Sequence, residues 1–455
     1  MFLFIFLPVV LFLNRLVRIQ WKNIILLVAS LLFYAWGEPV YVVLMMVSMT
    51  MNYGLALWID RNTRPLNRQM LAGLAVALNL GFLIYFKYIG FLLRIFCRVT
   101  HVSISIPVVA LPIGISFYTF HAISYVIDVY RGQVRANKSL IQVALYISLF
   151  SQLIAGPILR YKDIREQINS RKESWSLFNQ GVRLFIYGLS KKVIIANFAG
   201  EIADSIFGMN YRLLSMPTAW LGVAAYTAQI FFDFSGYSTM AIGLGKMFGF
   251  TFMENFNYPY ISTSIREFWQ RWHISLSTWF RDYLYIPLGG NRKGKAWTIF
   301  NQCLVFGICG VWHGASFAFV VWGLYHGALL GLEKLSTVKE IQARMPRPIL
   351  WGFTLLLVMV GWVLFRVEKL HDAVVYLSQM AGWGNGTFRY GVSSLQGIIL
   401  GAAVLFSIPW HRLAVIRVLS PAKGYLRGVG CMLLLAVDVI LLSSSTYNPF
   451  IYFRF

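Results

Sequence analysis

Apolar positions in this chain fall in long runs separated by short charged loops, a pattern that predicts membrane-crossing helices rather than alternating strands. Met1 to Leu13 reads as a short or tilted anchor, without the leading cations or small-residue cleavage site of a signal peptide. Asn23 to Trp36 and Tyr41 to Ile59 follow, joined by the cation-free Gly37-Glu38-Pro39. Arg15, Arg18 and Lys22 precede this pair and Arg61, Arg64 and Arg68 follow it, which puts both flanking loops in the cytoplasm and the N-terminus outside. Met70 to Phe96 and Ile106 to Tyr130 are the next spans. Leu140 to Ile158 has cations on both sides and contains the breaker Gly156-Pro157, so it is expected to be re-entrant. Trp175 to Ala196, interrupted by Lys191-Lys192, and Pro217 to Phe248, with Asp233 in its middle, lead on to Ile349 to Phe365, Val392 to Pro409 and Val429 to Ser443. The expectation is an all-α polytopic membrane protein of about eleven transmembrane or re-entrant helices. Neither a linker nor an internal repeat is visible, so residues 1–455 read as one membrane-embedded domain.

The segment 264–327 departs from this plain pattern. Ser264-Ile265-Arg266-Glu267 has the spacing of a capping box and predicts a helix start. Ile265, Phe268, Trp269, Trp272, Leu276 and Trp279 then recur at helical spacing, while Arg266, Gln270, His273, Ser277 and Arg281 form a polar stripe. The expected element is one interfacial helix, with its tryptophans toward lipid and His273 facing water among arginines. After Pro287, Gly289 and Gly290 comes a basic hairpin, Arg292 to Lys295, and then an apolar run in which Gly310-Val311-Trp312-His313-Gly314 places an imidazole at membrane depth.

Composition supports the membrane reading. Of 455 residues 58% are hydrophobic and 13% charged, with a formal net charge of +23. The basic excess lies in short loops between spans, which is the positive-inside pattern and argues against nucleic acid as a partner. Cys97, Cys303, Cys309 and Cys431 have neither disulfide nor metal spacing, and no metal site is expected. A lone histidine in a helical run is ordinarily a satisfied core group. For His313 the glycines at 310 and 314, which would open room beside the ring, and the second histidine upstream favour chemistry. His326, thirteen residues on, would lie on another face of a continuous helix and reads as a packing residue with Tyr325. His121 with Asp128, and Asp233, read as structural groups of the bundle. Gly290 to Lys295 is one residue short of a phosphate loop, and Ala296 stands where its Ser or Thr would be; no Gly-x-Ser-x-Gly elbow occurs.

Several strings together resemble a known family. Arg271-Trp272-His273-Ile274-Ser275-Leu276-Ser277-Thr278-Trp279, the stretch Arg281 to Arg292 and Val311-Trp312-His313-Gly314 are similar to the signature of membrane-bound O-acyltransferases, in the bacterial branch with alginate and peptidoglycan O-acetyltransferases and the teichoic-acid alanylation transporter. Leu111 to Phe117, Gln152 to Ile158 and Asp233-Phe234-Ser235-Gly236-Tyr237 extend the match over most of the chain. The resemblance implies tilted helices around a central passage, with His313 as catalytic histidine and His273 as its polar neighbour. It implies acetyl transfer from a cytoplasmic thioester to a polysaccharide outside, alginate first, then peptidoglycan or cellulose, in the bacterial inner membrane. Acetyl-CoA or another acyl thioester would be a co-substrate, with no permanently bound cofactor. Such a reaction needs a base for the hydroxyl proton and a group that steadies the developing oxyanion. Arg266, Arg271, Arg281, Arg292 and Lys293 could attract the donor's phosphates, or simply obey the positive-inside rule. The alternative class is a non-enzymatic polysaccharide or lipid transporter.

At the end of the chain, the aromatic tail 448–455 is similar to the ending of the small peptide in the teichoic-acid system. That likeness makes Tyr452 a candidate acyl relay to an extracytoplasmic partner acetyltransferase, with an anchoring tyrosine in contact with membrane lipids as the plainer reading.

Overall fold

A computed structural model describes residues 1–154, 156–410 and 423–444. Tyr452 and the aromatic tail lie outside the described residues. Among the described residues the secondary structure is helical, with one isolated bridge, Leu214 to Phe388, and no sheet. Five helices are long and apolar enough to cross a membrane: Ile19–Gly37, Tyr41–Arg61, Pro65–Thr100, Arg347–Arg366 and Arg427–Ser444. Shorter apolar helices occupy Phe2–Leu16, Phe317–Leu332 and Ser394–Phe406.

The chain forms two compact units, one of residues 1–185 with 241–253 and one of residues 186–240 with 254–455. No linker composition marks the division. In the first unit, Asn52 and Asn79 exchange amide hydrogen bonds of 3.1 and 2.7 Å between neighbouring spans, each satisfying a buried polar group that lipid could not. The span expected over Ile106 to Tyr130 is helical only from Ile115 to Tyr130. Its first part is irregular because Pro107 and Pro112 lack the amide that a helix needs and Gly114 turns the chain with φ +75°. Leu140–Ser148 is a nine-residue helix, followed by an irregular stretch and then Tyr161–Ser170. Nine residues are too few to span.

In the second unit, Lys191-Lys192 does not interrupt the chain's helical course. A π-helical turn, Lys191–Ala196, absorbs the pair, and Lys192 forms a 2.6 Å ion pair with Asp233. Asp233 is thus held by a cation within the bundle. The feature that shapes the site is a helical hairpin, Lys295–His313 returning as Phe317–Leu332. Its backbones approach so closely that a Cβ on Gly310 would collide with the carbonyl oxygen of Phe319, and one on Gly323 with that of Phe306. Contrary to the expectation from the sequence, the glycines flanking His313 therefore do not open room for a ligand. Gly310 admits the returning helix, and the ring of Phe319 fills the space beside Gly314.

Candidate active site

Ser264 caps the start of a helix as expected, its hydroxyl accepting from the Glu267 amide at 3.0 Å. The return half of the capping box is displaced. Glu267 accepts instead from the Thr263 amide and hydroxyl at 2.9 and 3.0 Å, and also pairs with Arg271 at 2.9 Å. Desolvation alone would raise its pKa, but these three donors outweigh it and hold the carboxyl below its ordinary range. The remaining amides of the first turn go to a residue far along the chain. Glu333 accepts from Ile265 at 2.6 Å and Arg266 at 2.9 Å, placing a carboxylate at the positive end of the helix.

That helix ends at Arg271, and a second begins at Ile274 and runs to Phe280. Between them Trp272 is extended and His273 is left-handed, with φ 45° and ψ 53°. The single interfacial helix expected here is broken because the segment 255–257 takes its backbone bonds: the Asn257 amide donates to the Arg271 carbonyl at 2.9 Å and the Ile274 amide to the Asn255 carbonyl at 3.0 Å. The break turns the tryptophans inward. Trp269, Trp272 and Trp279 are buried rather than lipid-facing, and His273, expected to face water, is 1% exposed.

His313 is the last residue of its helix, 5% exposed and enclosed by aromatic rings. Ring centroids of Trp312, Trp322 and Phe365 lie 4.8, 5.1 and 5.2 Å from its own. Trp312 also lies 6.4 Å from His273, so the two histidines flank one indole. His326 is a packing residue as expected, though on the returning helix. It accepts from the Trp269 indole at 3.3 Å and packs against Trp322 and Tyr325.

Trp269 also lines a cavity of about 700 Å³, whose wall includes neither His273 nor His313. Four of the five residues in the polar stripe line it: Arg266, Gln270, Ser277 and Arg281. Gln302, Phe306 and Cys309 line it from one face of the Lys295–His313 helix, and His313 continues that face one turn further. Lys334 and Lys339, not singled out in the sequence, add two cations to its wall; Glu333 is the acidic group there. Lys334 bonds to the Tyr285 hydroxyl at 3.1 Å and Asn291 at 3.3 Å. Burial, with Arg266 and Lys339 nearby, lowers its pKa from the ordinary lysine value. Of the other expected donor contacts, Arg271 is engaged by Glu267 and the Asn257 carbonyl, while Arg292 and Lys293 are exposed and outside the cavity wall, with Lys293 over Trp297. Sequence signals for the missed residues are faint: Lys334 and Lys339 sit in what reads as a mixed-charge loop, and Asn255 has no motif. Among the described residues, no cluster suited to a metal occurs.

The chain is 42% identical to a probable alginate O-acetylase of Pseudomonas putida over all of this chain and 99% of that protein. It is 31% identical to a peptidoglycan O-acetyltransferase of Helicobacter pylori over all of this chain and 96% of that protein. A teichoic acid D-alanyltransferase of Bacillus subtilis matches 48% of this chain at 31% identity over 58% of its own length. The pattern that defines the MBOAT, membrane-bound O-acyltransferase, family covers residues 133–367, and the strings around His273 and His313 fall inside it. With full-length relatives that are acyltransferases and apolar helices of spanning length, the transport alternative is set aside, and the chain belongs to the membrane-bound O-acyltransferase family as a multi-pass membrane acyltransferase.

Proposed function

We propose that the protein is a polysaccharide O-acetyltransferase of the bacterial inner membrane, and that the cavity whose wall ends at Cys309, one helical turn before His313, receives an acyl thioester from the cytoplasm. The observation that carries this reading is the cavity itself, which has Arg266, Arg281, Lys334 and Lys339 in its wall and a helix face that leads to His313. Clustered cations suit the phosphates of acetyl-CoA or of a carrier-bound thioester. The apolar face along Val305, Phe306 and Leu330 suits an uncharged arm. His313, at the end of that face, takes the proton from the attacking hydroxyl, and His273, across Trp312, is its polar neighbour at the reacting centre. Arg271 serves this site by bracing the broken helix; Arg292 and Lys293 serve it only as positive-inside cations.

Alginate is the first choice of acceptor, from the relatives' names and the coverage of the match, followed by peptidoglycan or cellulose. About eleven transmembrane or re-entrant pieces around a central passage would bring a cytoplasmic donor to an extracytoplasmic acceptor. A relay through Tyr452 to a partner acetyltransferase outside would complete the route, since a phenol with a pKa of about 10 leaves more readily than a sugar hydroxyl. Tyr452→Phe tests the relay: acetylation of the exported polymer should fall sharply, and acetyl-tyrosine should appear in wild-type C-terminal peptides by mass spectrometry. Normal acetylation by the variant would remove Tyr452 from the route. Radiolabelled acetyl transfer from acetyl-CoA in inner-membrane vesicles tests the donor, and polymer without label would exclude it.

A further inference from the structure

The hydrogen bonds around His273 fix more than its position. Its Nδ1 lies 3.2 Å from Asn255 Oδ1, and both residues are 1% exposed. Which ring nitrogen carries the proton depends on which end of the asparagine amide faces the ring, and the surroundings decide that. The main-chain amide of Ser275 points at the same asparagine atom from 3.2 Å, and an amide N–H can only donate. The atom is therefore the carbonyl oxygen, and the Ser275 hydroxyl donates to it as well, at 2.9 Å. An oxygen accepting from two donors requires the third neighbour, His273 Nδ1, to donate too. In neutral His273 the proton then sits on Nδ1 and Nε2 carries a lone pair. Nε2 is buried and has no hydrogen-bond partner among the described residues. The main-chain carbonyl of Asn255 accepts from the Ile274 amide, so one residue fixes both the left-handed backbone at His273 and the orientation of its ring.

We propose that Asn255 is a positioning residue that selects the Nδ1–H form of His273 and so presents Nε2 to the reaction as a hydrogen-bond acceptor. Its ligand class is a hydroxyl, the group that the acyl acceptor brings to the site. A neutral His273 in this form cannot donate to an oxyanion; Nε2 instead accepts from a hydroxyl of the acyl acceptor and holds the acceptor in place, while His313 takes the proton of the hydroxyl that attacks. This rests on the reading that His273 takes part in the transfer.

Two measurements keep that reading and the proposal apart. Solid-state ¹⁵N spectra of histidine-labelled protein in membranes, with His273→Gln for assignment, should show a protonated Nδ1 and a bare Nε2. Asn255→Ala should lose that preference and reduce kcat on the order of a hundredfold, the size of a lost acid-base contribution. Asn255→Asp keeps the accepting oxygen and should restore both the Nδ1–H signature and most of the activity, which a purely packing role would not require. A bare Nδ1 in the parent protein overturns the proposal, as does full activity in Asn255→Ala. Near-parental transfer by His273→Ala would instead sink the catalytic reading of His273, whatever the spectrum shows.

Discussion

Glu333 shows what a single side chain does here that its position in the sequence does not announce. It lies 68 residues beyond Ile265, yet its two oxygens cap the first turn of the helix Ile265–Arg271. Glu333→Ala should cost about 1–2 kcal/mol, the usual price of a lost helix cap, and appear as a lower thermal midpoint in detergent with Glu333→Gln intermediate. An unchanged midpoint would mean that water replaces the carboxylate without loss. Ser264 and Glu267 were legible because their partners lie within four residues; Glu333 and Asn255 were not, because chain folding alone brings them to the helix.

Among the elements, the hairpin of Lys295–His313 and Phe317–Leu332 is set by its glycines. Gly310→Ala should destabilise the protein by about 1–3 kcal/mol, because its Cβ meets a main-chain carbonyl that can move only with its helix. Gly352→Ala, in the helix Arg347–Arg366, has open space around it and should be neutral or stabilising by up to about 1 kcal/mol. Equal midpoints for the two variants would contradict the close packing. Helical periodicity correctly found an apolar and a polar face between Ile265 and Arg281, and the polar face does line the cavity except at His273. It could not reveal the break after Arg271, because the bonds that stabilise the break come from residues 255 and 257. Nor could it tell an inward tryptophan from a lipid-facing one, since both environments are apolar.

For the whole molecule the net charge is +23, and on the proposed reading only the cations in the cavity wall bear on the donor. Arg266→Glu combined with Lys334→Glu should weaken thioester binding by roughly tenfold or more at low ionic strength, and by less as salt screens the site. Arg292→Glu should leave it nearly unchanged. Because Lys334 titrates below an ordinary lysine, its charge is lost earlier as pH rises, so donor affinity should fall on the alkaline side. Lys334→Arg should move that fall to higher pH, and an unmoved limb would show that Lys334 does not carry the effect. The helical class and membrane character could be read from the apolar runs, and the family from strings around His273 and His313. The two-unit division and the cavity depend on contacts that no local pattern records.

The central claim is that His313 performs the chemistry. The direct test is acetyl transfer to polymer by His313→Ala and by the bulkier His313→Gln, each shown by thermal midpoint and gel filtration to be folded in detergent. The account predicts loss of transfer in both, with donor binding at the cavity retained. A folded His313→Gln that acetylates polymer at a near-parental rate would contradict it.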